Sequence, residues 1–237
     1  MALRTGVTRV LFWDIDGTLL STARAGVFAL EEAARQVCGV EVDFASLRTA
    51  GLTDWEVALL SIETAGREPT PEAASAFLRV YERHLPERLH WRKGTVLAGV
   101  NDALDELSGR PDVSNLLLTG NTRAGARAKL RHYGLAGYFE DGAFCEDGDD
   151  RAAIAHRALA LARERAEGAV DPDHVVVIGD TPYDVRCGLA IGARTLGVAS
   201  GSYSEADLVH SGAWTTLPHL PPAGELLRLL GLPAGER

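Results

Sequence analysis

Four short apolar runs constrain the fold of this chain more than any other feature of its sequence. They are Val10–Trp13, Val113–Leu118, Val175–Ile178 and Thr195–Val198. Each is too short for an ordinary helix and is followed by turn residues, as expected of strands that a parallel sheet buries on both faces. Helical patterns come after these turns. Strands that alternate with helices predict a doubly wound α/β fold with a parallel sheet.

Eight further segments have apolar residues at helical spacing. Five of them flank the later strands: Val100–Leu107, Arg123–Tyr133, Arg151–Arg165, Tyr183–Ile191 and Glu225–Leu230. The other three succeed one another nearer the N-terminus: Ala25–Val37, Thr53–Ala65 and Pro71–Leu85. No convincing strand interrupts the stretch from Leu20 to Lys93, so we expect an all-helical insert after the first strand.

The insert divides the chain into two parts. We assign residues 1–20 and 94–237 to a core and residues 21–93 to a helical cap domain. Because the insert leaves and rejoins the core beside the end of the first strand, it can cover a site there as a lid. The alternative is that these helices only thicken the core.

Two acidic residues follow the first strand directly, in the segment Asp14-Ile15-Asp16-Gly17-Thr18. Carboxylates just beyond a buried strand are costly unless a cation pairs with them. On an extended backbone residues i and i+2 point to the same side, so Asp14 and Asp16 can face one reaction centre. Gly17 permits a tight turn, and the Thr18 hydroxyl can hold a carboxylate by a hydrogen bond.

A second acidic segment follows the third strand and contains Asp180 and Asp184. Ligands bind at the carboxyl ends of the strands in such sheets, so we expect four carboxylates to converge at that edge. Their oxygen atoms favour Mg²⁺, which usually takes one or two carboxylates, water and substrate phosphate. Taken alone, this segment is also typical of a capped helix start with Pro182 in its first turn.

Together these motifs resemble the haloacid dehalogenase superfamily, and within it the phosphoglycolate phosphatase type with a helical cap. The resemblance covers residues 10–230 and rests mainly on the two acidic segments. It implies a Rossmann-like core, a nucleophile at Asp14 and a general acid and base at Asp16. It also implies Mg²⁺ held by the Asp14 carboxylate, the Asp16 backbone carbonyl and the Asp180 carboxylate, with Asp184 as an outer or water-mediated ligand.

The family's second motif matches Thr119, Gly120 and Asn121, which follow the second strand. The family places a Ser or Thr there to bind the phosphoryl group. A hydroxyl and backbone N–H groups at a helix start suit an anion, which is the physical basis of that role. As an isolated turn, the same three residues would have many structural explanations.

The third motif departs from the family pattern. Relatives usually carry a Lys-Pro pair there, but residues 146–151 contain no Lys. Arg151 lies near that position, and Lys129 lies on the preceding helix, so either can supply the cation that binds phosphate. Lys129 is one of two lysines among 24 basic residues, which favours a role for its compact ammonium group. The alternatives are a solvated Lys129 and a surface Arg151 paired with Asp149 or Asp150.

One loop of the predicted cap contains Thr53, and family members often screen substrates with a loop of this kind. Thr53 is therefore a candidate for substrate specificity. The alternative is helix capping, with Thr53 at the helix start and Glu56 completing a capping box. Arg24, Trp55 and Trp91 are further candidates for contact with substrate, although core packing is the more usual role of tryptophan.

The resemblance implies a Mg²⁺-dependent phosphatase that hydrolyses a small phosphorylated metabolite through an aspartyl-phosphate intermediate. Phosphoglycolate is the first candidate substrate. A phosphoglucomutase-type phosphotransferase shares the core motifs and is one alternative, and a non-catalytic metabolite-binding module is another. Asp16 argues against a dehalogenase, and a cap without an internal Lys argues against a phosphonatase.

Composition limits the partners. The formal net charge is −9 and no run of Lys and Arg occurs, which disfavours nucleic-acid binding. We expect no membrane span and no signal peptide, because no apolar stretch has the required length or flanks. Cys38, Cys145 and Cys187 are scattered and are expected to be buried and reduced, which indicates a cytoplasmic protein. A monomer is the default expectation, and a dimer is the alternative.

Overall fold

The computed structural model describes residues 9–148, 150–166 and 170–233. Over these residues the strands are β1 (Arg9–Trp13), β2 (Leu20–Ser21), β3 (Thr95–Val96), β4 (Val113–Leu118), β5 (Gly142–Ala143), β6 (Val175–Gly179), β7 (Arg194–Val198) and β8 (Thr215–Leu217). The α-helices are α1 (Ala25–Cys38), α2 (Asp54–Thr64), α3 (Pro71–Arg88), α4 (Val100–Ser108), α5 (Arg123–His132), α6 (Arg151–Arg165), α7 (Pro182–Ala190), α8 (Glu205–His210) and α9 (Ala223–Leu229).

Six strands form one parallel sheet in the order β5-β4-β1-β6-β7-β8. The chain starts in the centre at β1, extends one side with β4 and β5, and then returns to the other side of β1 with β6. This reversal places the carboxyl ends of β1, β4 and β6 next to each other, at the switch point where doubly wound sheets bind ligands. The doubly wound α/β fold predicted from the sequence is confirmed.

The packing of β1 explains why its sequence is apolar almost throughout. Leu11 and Trp13 belong to a hydrophobic cluster covered by α4, α5 and α9, whereas Val10 and Phe12 belong to a cluster on the opposite face, covered by α6 and α7. Successive side chains of a strand point to opposite faces, so a strand buried on both sides is apolar at every position. Each fully buried Val, Leu or Phe contributes about 1.5–3 kcal/mol.

Helices α1, α2 and α3 pack around a third hydrophobic cluster, which includes Ala29, Ile62, Phe77 and Leu85. We call these three the cap helices. The cluster lies within the insert predicted from the sequence. The division of the chain into a cap at residues 21–93 and a core on either side stays a prediction.

The starts of two cap helices follow the sequence signals. The Thr70 side chain accepts a hydrogen bond from the Ala73 N–H, with Pro71 in the first turn of α3. The Thr53 side chain accepts from the Glu56 N–H, and the Glu56 carboxylate accepts from the Thr53 N–H. Each cap satisfies amide groups that have no partner inside the helix, which is typically worth about 1 kcal/mol.

Several short elements differ from the predicted pattern. No strand was predicted between Leu20 and Lys93, yet β2 begins at Leu20 and pairs antiparallel with β3. Strands β5 and β8 and the short helix α8 were not predicted either. Strands of two or three residues and a six-residue helix are too short to display a hydrophobic period, so only pairing in three dimensions reveals them.

Two further expectations concern burial and membranes. Cys38, Cys145 and Cys187 are buried free thiols, as predicted. No helix among the described residues combines the length and the apolar composition needed to cross a bilayer.

Candidate active site

The carboxyl ends of three strands bring the predicted site residues together. Asp14 follows β1, Thr119 follows β4 and Asp180 follows β6. The Asp14 N–H donates to the Ile178 carbonyl at 3.0 Å, so the pairing of β1 with β6 continues through the residue that carries the first carboxylate. The rigid centre of the sheet therefore sets the positions of these side chains.

Three carboxylates form a buried cluster at this edge. Carboxylate oxygens of Asp14, Asp180 and Asp184 lie within 4.8 Å of one another, and all three residues are buried. Burial, followed by the charge of Asp184, raises the pKa of Asp14 to about 7 and that of Asp180 to about 9. Poorly hydrated carboxylates at this spacing repel each other, so the ionised cluster requires positive charge.

The cluster fits a hard divalent cation. All three residues offer carboxylate oxygens, which are the ligands that Mg²⁺ prefers. Thr18 Oγ1 donates to Asp180 Oδ1 at 3.2 Å, so the hydroxyl orients that carboxylate as the sequence predicted. The Asp16 carboxylate lies outside the cluster and faces Asn121 instead.

Arg151 reaches the cluster from the start of α6. Its guanidinium donates to Asp184, and both side chains of this ion pair are at most 10 % exposed. Arg151 is therefore not the surface residue considered as an alternative. Asp150 caps α6 by accepting a backbone N–H, and Asp149 lies outside the described residues. Burial alone lowers the pKa of Arg151, but the charges of Asp184, Asp14 and other neighbours together raise it above its ordinary value, so the guanidinium stays charged.

Lys129 and Asn121 hold the side chain of Asp16. Lys129 Nζ donates to Asp16 Oδ2 and to Asn121 Oδ1, both at 2.5 Å. Asn121 Nδ2 donates to the same Asp16 oxygen at 2.9 Å and to Thr119 Oγ1 at 2.8 Å. Lys129 is buried, so the interpretation of a solvated Lys129 is wrong. Burial alone lowers its pKa, but the charge of Asp16 and its other neighbours raises it above the ordinary value.

The remaining residues predicted to bind phosphate lie close to Arg151. A Cβ atom at Gly120 would lie 2.9 Å from Arg151 Nη1, so the guanidinium passes directly over the Gly120 backbone. Thr119 is fully buried beside it. These residues, Lys129 and Asp14 line one cavity. Hydroxyl, backbone and guanidinium donors thus surround a space next to the acidic cluster.

A family model for haloacid dehalogenase-like hydrolases matches residues 8–192, a range that includes both acidic segments and the second motif. This chain belongs to the haloacid dehalogenase-like hydrolase family. It is therefore a hydrolase, and the buried acidic cluster is its candidate active site. No curated protein sequence matches this hydrolase.

Solved structures of other proteins share its fold. A hydrolase from Pseudomonas syringae is 19 % identical, with a TM-score of 0.71, over 96 % of this chain and all of that one. CbbY from Rhodobacter sphaeroides, in complex with phosphate, is 17 % identical, with a TM-score of 0.72, over 90 % and 94 % of the two chains. A predicted phosphoglycolate phosphatase from Haemophilus somnus is 14 % identical, with a TM-score of 0.70, over 95 % and 99 %.

The cavity beside the acidic cluster has a volume of about 490 Å³ and is lined from both the sheet edge and the cap helices. The cap contributes the aliphatic side chains of Val27, Leu30, Leu52 and Val57, together with Arg24. This volume lies within the usual range of small-molecule sites.

Thr53 makes its hydrogen bonds inside the cap. Its hydroxyl donates to Glu56 Oε2 at 3.0 Å and accepts from the Glu56 N–H at 3.1 Å, and the residue is 4 % exposed. Its neighbours Leu52 and Asp54 line the cavity. The contacts of Thr53 are those of a helix cap, and its role in substrate specificity stays a prediction.

The two tryptophans have different surroundings. Trp55 is partly buried and packs against both the cap cluster and the sheet. Trp91 is 52 % exposed, lies 5.2 Å from the Phe28 ring and carries the Arg88 guanidinium over its face. The interpretation of Trp91 as a core residue is therefore wrong.

Sequence reasoning missed two polar residues of the site. Ser200 Oγ donates to the Gly17 carbonyl at 2.6 Å, which ties the loop after β7 to the turn after β1. Its place just beyond the fourth predicted strand was a usable signal, because all parallel strands end at this edge. Asp54 accepts the Thr122 N–H at 2.7 Å, and burial raises its pKa to about 6. It lies in the candidate specificity loop of the cap, next to Thr53, but only Thr53 was named as a candidate there.

Proposed function

We propose that this hydrolase is a Mg²⁺-dependent phosphatase that acts on a small phosphorylated metabolite through an aspartyl-phosphate intermediate. The observation that carries the proposal is the placement of Asp14 in a buried carboxylate cluster, with Asp16 two residues away and outside it. One carboxylate then lies beside the proposed metal while the other is available for proton transfer. Because the cytosol keeps thiols reduced, the three free cysteines support a cytoplasmic location.

In the proposed reaction Asp14 is the nucleophile. Its carboxylate oxygen forms a bond to phosphorus as the bond from phosphorus to the ester oxygen breaks, which leaves the phosphoryl group on Asp14. Thr119, the Gly120 backbone and Arg151 border the same cavity and supply donors for the phosphoryl oxygens. Asp14, Asp180 and the Asp16 carbonyl would hold Mg²⁺, with Asp184 as an outer or water-mediated ligand, and the bound ion would neutralise charge on the carboxylates and the phosphoryl group.

Asp16 performs both proton transfers of the proposed reaction. Its carboxyl group donates a proton to the oxygen of the leaving alcohol, and the resulting carboxylate later takes a proton from the water that attacks the aspartyl-phosphate. That second attack releases inorganic phosphate and regenerates Asp14. Lys129 and Asn121 both donate hydrogen bonds to Asp16, so we assign to them the orientation of Asp16. Arg151 then takes the role of the missing third-motif lysine.

The aliphatic lining of the cap indicates a leaving group with several carbon atoms. Phosphoglycolate remains a candidate, with Arg24 available for its carboxylate. The cavity volume extends the candidates to sugar phosphates of similar charge. We take the protein to act as a monomer, the default for a chain whose sequence shows no obvious apolar patch.

Hydrolysis of p-nitrophenyl phosphate with Mg²⁺ and with a chelator tests the proposal. Release that depends on Mg²⁺ supports a phosphatase, and a panel from phosphoglycolate to hexose phosphates then ranks the substrates. A phosphotransferase of the phosphoglucomutase type would instead move phosphate between positions on a sugar faster than it releases phosphate. Mg²⁺ binding without turnover of any ester would favour a binding module and contradict the proposal.

Replacing Thr18 with Val is expected to weaken Mg²⁺ binding about 10- to 100-fold, because Asp180 loses the donor that orients it. Isothermal titration calorimetry of the metal-free protein with Mg²⁺ measures the two affinities. Thr64→Val is the matched control: its hydroxyl bonds only within α2, at the Leu60 carbonyl. Equal Mg²⁺ affinities for wild type and Thr18→Val would contradict the proposed metal ligation by Asp180.

A further inference from the structure

Two hydrogen bonds join the first residue of α2 to the loop after β4. The Asp54 N–H donates to the Gly120 carbonyl at 2.7 Å, and the Thr122 N–H donates to Asp54 Oδ2 at 2.7 Å. The two bonds bracket Asn121, so they fix the orientation of its peptide groups relative to the cap helices. A single cap residue thus holds both sides of the residue that contacts Asp16.

The contact leaves little room for adjustment. A Cβ atom at Gly120 would lie 3.0 Å from the Leu52 carbonyl oxygen and 3.0 Å from the Thr53 Cα, so the backbones of cap and loop touch. The Thr122 hydroxyl is occupied as the N-cap of α5. Helix α5 has no acidic residue in its first turn, and the carboxylates of Asp54 and Glu146, which accept the Thr122 and Arg123 N–H groups, supply the negative charge that a helix N-terminus favours.

The side chain of Asn121 connects this loop to Asp16. Its amide nitrogen donates to Asp16 Oδ2 at 2.9 Å, and its oxygen accepts from Lys129, which also contacts Asp16. Asn121 is buried, so water cannot readily replace these bonds. A shift of the loop would therefore move the carboxyl group that the proposed mechanism uses for proton transfer.

We propose that Asp54 is a positioning residue for Asp16, which it controls through the loop at residues 120–122 and the side chain of Asn121. The inference rests on the proposed function, because Asp16 must act as an acid for its position to matter. Its consequence is that proton donation to the leaving group depends on the cap being seated against the loop. A cap that moves away removes the two bonds that flank Asn121, and the remaining bonds of Asn121 to Cys145 and Thr119 then hold Asp16 in place less firmly.

The leaving group separates this role from a merely structural one. An alkyl alcohol is a poor leaving group and needs the proton from Asp16, whereas p-nitrophenolate leaves without one. Loss of Asp16 positioning therefore lowers kcat/KM for an alkyl phosphate far more than for p-nitrophenyl phosphate. A general loss of folded protein or of cap stability lowers both values by the same factor.

The experiment compares Asp54→Ala, Asp54→Asn and Thr70→Ala with the wild type, each as the full chain with Mg²⁺. We expect Asp54→Ala to lower the alkyl-to-aryl ratio of kcat/KM by about 10- to 100-fold, a part of what general acid catalysis contributes. Asp54→Asn keeps an acceptor for the Thr122 N–H and is expected to restore the ratio to within about threefold of wild type. Thr70→Ala removes a cap of α3 and is expected to leave the ratio unchanged.

Amide hydrogen exchange gives a readout that does not depend on turnover. The Thr122 amide is expected to exchange faster in Asp54→Ala than in the wild type or Asp54→Asn, because it loses its acceptor. An unchanged ratio in an active Asp54→Ala protein, or equal losses in Asp54→Ala and Asp54→Asn, would overturn the positioning role. A wild type that hydrolyses neither ester would overturn the proposed function, and this inference with it.

Discussion

Replacing Asp14 with Asn is expected to lower Mg²⁺-dependent phosphate release by at least about 10³-fold, since an amide cannot form the acyl phosphate and removal of a covalent nucleophile costs at least this much. Asp14 is buried at the end of β1. The other two carboxylates of the cluster, Asp180 and Asp184, lie after β6 and in α7, so neither occupies the position of Asp14. Initial rates with p-nitrophenyl phosphate over a range of enzyme concentrations measure the loss.

Thermal unfolding of the same variant separates a chemical defect from a folding defect. Burial and the charge of Asp184 raise the pKa of Asp14 from its ordinary 3.8 to about 7. A raised carboxyl pKa means that ionisation opposes folding: the cost is absent below about pH 4, grows as the pH rises towards 7 and is complete above it. In chelator, Asp14→Asn should therefore melt above the wild type at pH 8, and the difference should shrink at pH 5.

With Mg²⁺ present, the order of the two melting temperatures is expected to change. The wild type gains stability from the metal, whereas the Asn variant has lost one proposed ligand and gains less. Substantial hydrolysis by a folded Asp14→Asn protein would contradict the proposed nucleophile. A variant that melts far below the wild type in chelator would contradict the account of a repulsive cluster.

Replacing Arg151 with Leu is expected to have the second large effect. The buried Asp184 carboxylate loses its ion-pair partner, which costs about 3–5 kcal/mol. For a chain of this size that corresponds to a fall in melting temperature of about 6–20 °C in chelator. Activity with Mg²⁺ is expected to fall about 10²- to 10³-fold, as when a donor to a developing oxyanion is removed.

Two other variants make this result interpretable. Arg157→Leu removes an arginine from the same helix whose ion pair with Glu164 is exposed, and its melting temperature and activity should stay close to wild type. Lys129→Met tests whether Arg151 binds phosphate while Lys129 orients Asp16, which it contacts. We expect inorganic phosphate to inhibit Lys129→Met as it inhibits the wild type, and Arg151→Leu much less. The reverse order would assign the third-motif role to Lys129.

The sheet and the acidic cluster were predictable because their signals are local. A strand buried on both faces is apolar along its whole length, as Val10–Trp13 is, and the residue after it necessarily lies at the carboxyl edge of the sheet. Asp14 and Asp180 could therefore be placed together from sequence alone. The same reasoning failed for β2, β3, β5 and β8, whose two or three residues show no period.

Side-chain partners could not be predicted, because they join residues far apart in the sequence. Lys129 and Arg151 were both plausible as the cation beside the phosphate, and each is a single basic residue on a helix. The structure separates them: Arg151 pairs with Asp184, 33 positions later, and Lys129 pairs with Asp16, 113 positions earlier. Helices α5 and α6 pack on opposite faces of the sheet, and this placement decides which acidic residue Lys129 and Arg151 each contact.

The sequence by itself determined the fold class, the order of the motifs and the edge of the sheet at which the chemistry collects. These follow from the hydrophobic period of single segments and from the geometry common to all parallel sheets. Only the tertiary structure decided that Asn121 and Lys129 hold Asp16, and that Asp54 of the cap bonds to Gly120 and Thr122 on either side of Asn121. Such contacts depend on how the cap helices dock on the core, and docking is set by the packing of whole surfaces rather than by any short stretch of chain.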